Sequence, residues 1–344
     1  MIKKNYLKHL INSEYLIKDA IKKLNFLVPK FCLVISNNKN FLGILTDGDI
    51  RRGLLINNSI NNKIINIVNK KTIVTRKKLS QAKINYILKS KEINCLPLID
   101  RSKKILDVYT SNEYETKNYL DYKMLIMAGG KGTRLRPLTN NTPKPLLLVN
   151  GKPIIEQIIL SAKKQGIYNF IISIHYLGNK IKKFLGDGKR LGVKIKYIQE
   201  KVPLGTVGSL YLVKKFNKPL IVSNADIISN IDFQELINYH KKFKSLITVS
   251  AINISEKNQY GKIIFKKNKL LKIEEKKDNK NLINAGIYVL NPKIKSFLKK
   301  KEYIDMTDLI SKIVKKKDKV HIFPLYESWL DYGLKKNIKR HYYN

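Results

Sequence analysis

Glycine and cationic residues are concentrated in one stretch, "AGGKGTRLRPLTNNTPKPLLLVNGKPII", which follows a short apolar segment. Gly129, Gly130 and Gly132 allow successive backbone N–H groups to turn towards an anion that a Cβ atom would keep away. Arg134 supplies a planar, permanently charged fork for phosphate oxygens, and Lys144, which stands between two prolines, supplies a point charge. These residue types and spacings predict a loop that grips phosphate.

The loop matches neither of the two commonest phosphate-binding motifs. It is not Gly-x-Gly-x-x-Gly, and it lacks the Gly-Lys-Ser/Thr ending of the P-loop, so the dehydrogenase and ATPase classes lose support. Asp226 follows the apolar run "LIVSNA" and Asp331 follows the only tryptophan. Two carboxylates and several phosphate oxygens are what Mg²⁺ commonly takes as ligands. The alternative interpretations are a helix cap for Asp226 and a surface turn for Asp331.

The segments around the loop alternate between strand and helix patterns. "FIISIHY", "VKIKYI" and "PLIVSNADI" predict strands, whereas residues 178–185, "GTVGSLYLVKKF" and "DFQELINYHKKF" predict helices. A further helix face contains Ile154, Ile155, Ile158, Ile159 and Ala162, with Pro153 in its first turn. This alternation predicts a largely parallel sheet with both faces covered, whose ligands lie at the carboxyl ends of the strands.

The whole glycine-rich string resembles the signature of the sugar-1-phosphate nucleotidylyltransferases. Further segments resemble that family in chain order, namely "EKVPLGTVGSL", "NADI", "YGKIIF", "IEEKK", "NAGIYVL" and "WLDYG". The resemblance implies a Rossmann-like, GT-A-like α/β fold for residues 119–344, with a mixed sheet and helices on both faces. The sequence departs from the family at Lys277, where a proline usually follows Glu-Lys.

The resemblance also implies a reaction, in which a sugar 1-phosphate attacks the α-phosphorus of a nucleoside triphosphate and pyrophosphate leaves. It assigns Arg134 to the pyrophosphate, Lys144 to the space between the two reacting phosphates, and Asp226 to catalysis. Asp226 and Asp331 would hold Mg²⁺. The implied nucleotide-binding residues are Ala128, Gly129, Gly130, Gly132, Thr133, Glu200, Gly205 and Thr206, and the implied sugar-phosphate residues are Gly261, Glu275, Lys276 and Asn284. Charge alternation on a solvated face is the alternative interpretation of Glu275.

Glu200 precedes Gly205 in the stretch that contacts the base in this family. An ionised carboxylate only accepts hydrogen bonds, and guanine offers two adjacent N–H donors. We therefore predict GTP, with CTP as the second choice, unless Glu200 is solvent-exposed. Together with the CBS-like repeat that precedes it, described in the next paragraph, this segment resembles the glucosamine-1-phosphate guanylyltransferases of legionaminic acid synthesis. Mannose- and heptose-1-phosphate guanylyltransferases, relatives that use CTP, UTP or dTTP, and an inactive nucleotide-sensing regulatory protein are the alternatives.

A short repeat precedes this segment, because "FCLVISNNKNFLGILTDGD" aligns with "CLPLIDRSKKILDVYTSNE" at an offset of 64 residues. A unit this short cannot bury its apolar face alone, so the two copies should pack together. The repeat resembles a tandem pair of CBS domains over residues 1–118, a module that often binds adenine nucleotides. Thr46 and Asp49 would hold the ligand, whereas the second copy departs from the pattern at Asp107 and Glu113. The alternative is a dimerising scaffold in which Thr46 caps a helix.

Composition indicates whether the chain binds nucleic acid or membrane. The chain has 344 residues, two cysteines and a formal net charge of +42. The excess lysine is spread along the whole length with abundant Asn and Ile, which indicates a codon bias rather than a nucleic-acid-binding surface. No signal-peptide core or membrane-spanning run is evident. These features predict a cytoplasmic protein that binds neither nucleic acid nor membrane, and the CBS resemblance implies a homo-oligomer, either a dimer or a dimer of dimers.

Overall fold

The computed structural model describes residues 5–56, 59–110, 120–213, 216–256, 262–266, 269–274, 279–300, 302–335 and 337–338. The chain divides into two compact units, Met1–Lys117 and Asn118–Asn344. The domain boundary predicted between residues 118 and 119 falls within 111–119, outside the described residues. Across the described ranges, no helix combines the length and the apolar character needed to cross a bilayer.

In its described residues, the first unit contains two sheets and three α-helices. Its elements are β1 (Leu10–Asn12), α1 (Ile17–Asn25), β2 (Phe31–Ile35), β3 (Phe41–Thr46), α2 (Asp47–Leu55), α3 (Gln81–Ser90), β4 (Cys95–Ile99) and β5 (Ile105–Thr110), with short 3₁₀ helices at Asn5–His9 and Ile64–Asn66. β1 pairs in parallel with β2, which pairs antiparallel with β3, and β4 pairs antiparallel with β5.

The predicted repeat is present as two antiparallel hairpins with the same register. Phe31 lies opposite Thr46 in the first hairpin, and Cys95 lies opposite Thr110 in the second. Each hairpin has its register shift at the equivalent place, after Val34 and after Leu98. One apolar cluster combines residues of both hairpins, so the expectation that the two copies pack together is confirmed. That cluster contains Tyr6, Phe31, Leu33, Phe41, Ile44, Cys95 and Ile99.

The second unit alternates strands and helices along most of its length. Its elements are β6 (Lys123–Ala128), β7 (Leu148–Val149), β8 (Lys152–Pro153), α4 (Ile154–Lys164), β9 (Asn169–Ile174), α5 (Gly178–Leu185), β10 (Lys194–Gln199), α6 (Gly205–Gly208), β11 (Leu220–Asn224), β12 (Ile227–Ser229), α7 (Phe233–Lys242), β13 (Ile247–Glu256), β14 (Lys262–Lys266), β15 (Lys269–Glu274), β16 (Asn279–Leu290), α8 (Met306–Lys315), β17 (Val320–Leu325) and β18 (Trp329–Asp331). Short 3₁₀ helices occupy Thr133–Leu135, Lys144–Leu146, Lys189–Leu191, Ser209–Leu212 and Pro292–Phe297.

Seven of these strands form one mixed sheet in the order β10-β9-β6-β11-β16-β13-β17. All neighbouring pairs are parallel except those that β16 makes with β11 and β13. β16 is therefore the one reversed strand of this sheet. The predicted mixed α/β sheet is confirmed.

Apolar side chains cover both faces of the sheet, as the alternation along β6 illustrates. Met124 and Ile126 belong to one buried cluster and Leu125 belongs to another on the opposite face. Helices α4, α5 and α7 contribute to the first cluster, whereas α8 contributes Leu309 and Ile313 to the second. Burial of each such side chain stabilises the fold by about 1.5–3 kcal/mol. The two packed layers fix the positions of the strand ends.

Two local predictions differ from the structure. Pro153 ends β8 and precedes the first residue of α4, so it lies one position earlier than the predicted first helical turn. The segment predicted as one helix from Gly205 onwards is a single turn, α6, followed by the 3₁₀ helix Ser209–Leu212. Glycines at 205 and 208 explain the short helix, because each lowers helix propensity by about 1 kcal/mol relative to alanine.

Candidate functional site

A cavity of about 560 Å³ lies at the carboxyl ends of four adjacent parallel strands of the large sheet. All of the predicted nucleotide and catalytic residues line it, because the segments that follow β6, β10 and β11 all open on this edge. The predicted residues in the lining are Ala128, Gly129, Gly130, Gly132, Thr133, Arg134, Lys144, Glu200, Gly205, Thr206 and Asp226. The convergence of segments distant in sequence makes this cavity the candidate active site.

The glycine-rich loop leaves β6 and turns sharply at Gly132. Gly132 has a φ of 63° and precedes the 3₁₀ helix that carries Arg134. A Cβ atom on Gly132 would lie 3.0 Å from Cγ2 of Thr139 and 3.2 Å from Cβ of Lys144. The backbone carbonyl of Gly132 accepts a hydrogen bond from the hydroxyl of Thr139 over 2.9 Å. This geometry brings the loop next to the segment that carries Lys144.

Lys144 and Asp226 form an ion pair through Nζ and Oδ2, with 15% and 21% of their side chains exposed. Lys144 begins the 3₁₀ helix Lys144–Leu146, and Asp226 lies between β11 and β12. The other oxygen of Asp226, Oδ1, is buried and has no hydrogen-bond partner among the described residues. Asp226 therefore belongs to the cavity and does not cap a helix, which was the alternative interpretation.

The pairing of β12 with β18 brings Asp331 next to Asp226. Ile227 lies opposite Asp331, and the N–H of Tyr332 donates to the backbone carbonyl of Asp226 over 2.9 Å. Burial raises the pKa of the Asp331 carboxyl, and the negative charge of Asp226 raises it further. The N–H of Gly333, which donates to Oδ1 of Asp331 over 2.6 Å, acts in the opposite direction.

These two carboxylates suit a magnesium ion by their chemistry. A buried carboxylate oxygen without a partner is costly unless a cation or a donor approaches it. Within the described ranges there is no group of three or more His, Cys, Asp or Glu residues that could hold a metal ion. A pair is sufficient for Mg²⁺ because this ion usually takes one or two carboxylates and completes its shell with phosphate oxygens and water.

Glu200 lies in the wall of the cavity and is 6% exposed. The alternative that this side chain is solvent-exposed is therefore wrong. Its Oε1 accepts a hydrogen bond from the hydroxyl of Ser173 over 2.6 Å, and its Oε2 accepts one from the N–H of Leu204 over 3.2 Å. Each carboxylate oxygen has a second lone pair available for a ligand. Glu200 thus holds the loop that follows β10 and still has acceptor capacity.

The second predicted nucleotide loop is fixed by residues before α8. Gly205 has a φ of 78°, and a Cβ atom there would lie 2.5 Å from the backbone carbonyl oxygen of Ile304. The N–H of Thr206 donates to Oδ1 of Asp305 over 2.8 Å. The close approach of the two segments explains why glycine occupies position 205.

Of the described residues predicted for the site, Asp331 and Asn284 are not among those that line the cavity. Asn284 is on β16, where its Oδ1 accepts from the N–H of Gly286 over 3.0 Å and its Nδ2 donates to the Tyr288 hydroxyl over 2.8 Å, and it does not line the cavity. Gly261, Glu275 and Lys276 lie outside the described residues.

Thr46 and Asp49 of the first unit form a capping box at the start of α2. The Thr46 N–H and hydroxyl donate to Oδ2 of Asp49 over 2.8 and 2.6 Å, and the Asp49 N–H donates to Oγ1 of Thr46 over 3.4 Å. Thr46 caps the helix as the alternative interpretation had it. The ligand role of the two residues stays a prediction.

The structure adds residues to the cavity that motif comparison did not single out. They are His175, Asn224, Tyr303, Asp305 and Gly333. Asn224 belongs to the segment "NAD" and Gly333 to the segment "WLDYG", so the sequence indicated the neighbourhood of both residues. Tyr303 and Asp305 have no such signal, because they occupy an irregular segment whose place depends on the packing of α8 against the sheet.

Comparisons with known proteins agree with this geometry. A model of the nucleotidyl transferase family matches residues 123–341, well over half of the chain. Mannose-1-phosphate guanyltransferase 2 of Candida glabrata is 34% identical over 228 residues, which make up 62% of this chain and 62% of that protein. The catalytic subunit beta of mannose-1-phosphate guanylyltransferase from Dictyostelium discoideum is 37% identical over 180 residues, which make up 50% of each chain.

The chain thus spans between 50% and 62% of the length of these two relatives. A solved structure from Bacillus anthracis, given as a candidate glucose-1-phosphate thymidylyltransferase, is 25% identical with a TM-score of 0.52. It covers 64% of this chain and 94% of its own. The family match begins at the first strand of the large sheet and contains every described residue that lines the cavity. On this basis the chain belongs to the nucleotidyl transferase family.

Proposed function

We propose that the chain transfers a nucleoside monophosphate from a nucleoside triphosphate to a sugar 1-phosphate. The observation that carries the proposal is the meeting of the glycine-rich loop, Lys144 and Asp226 at one cavity, with Asp331 placed beside Asp226 by the pairing of β12 with β18. An oxygen of the sugar phosphate attacks the α-phosphorus, the new P–O bond forms, and the bond to the β-phosphate bridging oxygen breaks. Pyrophosphate takes the electron pair of that bond and leaves.

The protein's part in this reaction is to position two anions and to neutralise their charge. The backbone N–H groups of Gly130, Lys131 and Gly132 donate no hydrogen bond to a described residue, so they are available to phosphate oxygens. Arg134 binds the leaving pyrophosphate through its planar fork. Lys144 reaches the space between the α-phosphate and the sugar phosphate. No covalent intermediate on the enzyme is required.

Asp226 and Asp331 would hold Mg²⁺, which supplies charge neutralisation at the phosphate oxygens when it is bound. The buried, unpartnered Oδ1 of Asp226 supports this assignment. Substitution of Asp226 by asparagine keeps the size of the side chain and removes its charge. We expect a loss of turnover of about a hundred- to a thousandfold for Asp226→Asn, in line with the loss of one preorganised charge contact.

GTP is the proposed donor, because Glu200 retains acceptor capacity for the N–H groups of guanine and because two relatives are named as guanylyl transferases. Those relatives favour mannose 1-phosphate as the acceptor. Glucosamine 1-phosphate, which was predicted from the sequence, is the second candidate. Because the Bacillus anthracis structure is named as a thymidylyltransferase, dTTP is a further candidate donor.

Pyrophosphate release in the presence of Mg²⁺ tests these assignments. GTP, CTP, UTP, dTTP and ATP would each be combined with mannose, glucosamine, glucose and N-acetylglucosamine 1-phosphates. Release with GTP and mannose 1-phosphate is the expected result, and release with GTP and glucosamine 1-phosphate would reinstate the prediction from sequence. Turnover with another base would contradict the role of Glu200.

An absence of release from folded protein in every combination would contradict the enzyme proposal. If such protein still bound AMP, the interpretation as a nucleotide-sensing regulatory protein would replace the enzyme proposal. Calorimetric titration of the full chain with AMP, ADP and ATP tests the adenine-nucleotide site proposed at Thr46 and Asp49. Light scattering tests the predicted homo-oligomer.

A further inference from the structure

The cation that pairs with Asp226 in this structure is the ammonium group of Lys144. The two residues are 82 positions apart, and both side chains are largely buried. Oδ2 of Asp226 faces Nζ of Lys144, whereas Oδ1 has no hydrogen-bond partner in the described part of the chain. One half of this carboxylate is therefore neutralised and the other half is not.

Distances measured from Gly333 show how close the charged groups lie to one another. A Cβ atom built on Gly333 would lie 2.7 Å from Oδ1 of Asp331, 2.8 Å from Nζ of Lys144 and 3.2 Å from Oδ2 of Asp226. One ammonium group and two carboxylates thus surround a single point within 3.2 Å. A divalent cation shared by the two carboxylates would therefore have to lie close to this ammonium group.

An ammonium group and a divalent cation that contact the same carboxylates repel each other. Two like charges about 4 Å apart repel by about 4 kcal/mol at the effective dielectric constant of a protein surface. Without any cation, the two carboxylates would repel each other instead. Lys144 relieves that repulsion in the absence of ligands, and phosphate anions would offer its charge an alternative partner.

We propose that Lys144 holds the place of the metal ion in the nucleotide-free protein and that nucleotide phosphates draw it away from Asp226. The inference rests on the proposed function for the assignment of Asp226 and Asp331 to a metal. Metal and nucleotide then bind cooperatively, because each favours the arrangement that the other requires. Lys144 thus has two successive roles. It is a counter-ion of Asp226 before nucleotide binds, and it is a ligand of phosphate afterwards.

Titration of the full-length protein with Mn²⁺ in the absence of nucleotide tests this proposal, with free Mn²⁺ measured by electron paramagnetic resonance. Lys144→Met and Lys144→Gln each remove the ammonium group. Two different substitutions are used so that the test remains possible if one of the variants does not fold. Both should bind Mn²⁺ more tightly than the wild-type protein, by about 5- to 150-fold, which is the usual range of a coupling between two sites.

Lys131→Met is the matched control, because Lys131 is an exposed lysine of the same loop that also lines the cavity. It removes the same formal charge without removing a partner of Asp226, so its effect should be much smaller. Asp226→Asn introduced into the Lys144→Met protein should abolish the gained affinity. In the wild-type protein, a non-hydrolysable GTP analogue should increase Mn²⁺ affinity, and this increase should shrink when Lys144 is replaced.

Unchanged or weaker Mn²⁺ binding by both Lys144 variants would overturn the proposal, and so would equal gains in the Lys131 and Lys144 variants. Absence of an Asp226-dependent Mn²⁺ site in every protein would overturn it as well. None of these results depends on turnover. Pyrophosphate release by the wild-type protein, measured separately, would still establish the proposed reaction if the place-holding role failed.

Discussion

The backbone N–H of Thr206 donates a hydrogen bond to Oδ1 of Asp305 over 2.8 Å, although 99 residues separate the two positions. In return, Oγ1 of Thr206 accepts a hydrogen bond from the N–H of Met306 over 2.8 Å. Asp305, which immediately precedes α8, thus binds the first turn of α6, and Thr206 of α6 binds the first residue of α8. Through this exchange, the loop that contains Gly205 is held by a segment that shares no motif with it.

Replacement of Asp305 by alanine should loosen the loop that contains Thr206. A hydrogen bond to a charged acceptor contributes about 1.5–3 kcal/mol, so we expect the KM for the nucleotide to rise about tenfold or more. The turnover number should change less, because Asp305 has no proposed contact with the reacting phosphates. Asp308→Ala removes the same charge from an exposed position in the first turn of α8 and serves as the control. Equal KM values for the two variants would contradict the anchoring role.

Gly130 and Gly132 should respond differently to alanine. A Cβ atom on Gly130 would meet no atom within 4 Å, so Gly130→Ala should leave the free energy of unfolding within about 0.5 kcal/mol of the wild-type value. Its methyl group would project where we expect the phosphates, and nucleotide affinity should fall about tenfold. Gly132→Ala should destabilise the fold by about 1–2 kcal/mol, because alanine is strained at positive φ.

Denaturant unfolding and calorimetric titration with GTP measure these two effects independently. Gly132→Ala should also weaken GTP binding, since the new methyl group presses on the side chain of Lys144. Full GTP affinity in Gly130→Ala would show that the nucleotide does not approach this glycine, contrary to the proposal.

Replacement of Glu200 by glutamine tests the proposed choice of base. Glutamine offers one acceptor and one donor and so cannot pair with two adjacent N–H groups of guanine. We expect the ratio of kcat/KM for GTP to that for UTP to fall about ten- to a hundredfold, the cost of an unpaired buried polar group. Ser173→Ala removes the hydroxyl that holds Oε1 and should lower the ratio by less. A lower melting temperature without any change in the ratio would show that Glu200 serves only to hold Leu204.

The buried His240 should make the fold sensitive to acid. Its side chain is 2% exposed, and burial, together with the smaller effects of the charges of His321 and Lys241, lowers its pKa from 6.5 to about 4. Above 6.5 the imidazole is neutral in both the folded and the unfolded chain. As the pH falls from 6.5 towards 4, only the unfolded chain takes up the proton, and stability is lost over that window. The loss should be of the order of 3 kcal/mol.

Urea denaturation of the wild-type protein and of His240→Gln at several pH values within this window measures that contribution. Glutamine does not titrate and can still bond to the hydroxyl of Thr248, which lies 2.9 Å from Nδ1 of His240. The variant should lose markedly less stability than the wild-type protein over the same interval. Parallel losses in both proteins would assign the acid sensitivity to other groups.

The amino-acid sequence by itself determined many of the elements and most of the site. The apolar periodicity predicted β9, β10 and β11 of the large sheet and the helices α4, α5 and α7, since each element buries one face and that requirement is written locally in the chain. The strands β13, β16 and β17 and the helix α8 became apparent only in the structure. The glycine-rich loop was equally evident, because positive φ at Gly132 and open backbone N–H groups depend on residue type at that position. The repeat in the first unit was also visible in the sequence, because similar residues recur there at a constant offset of 64 positions.

Only the tertiary structure decided which distant groups meet. The ion pair of Lys144 with Asp226 and the bond between Thr206 and Asp305 join residues more than eighty positions apart. Such contacts follow from the order of strands in the sheet and from the packing of α8, and the apolar pattern of each element is compatible with several such orders. The sequence predicted Lys144 and Asp226 as separate ligands of phosphate and metal. Their contact, and the competition between cations that we infer from it, became apparent only when the strand ends were brought together.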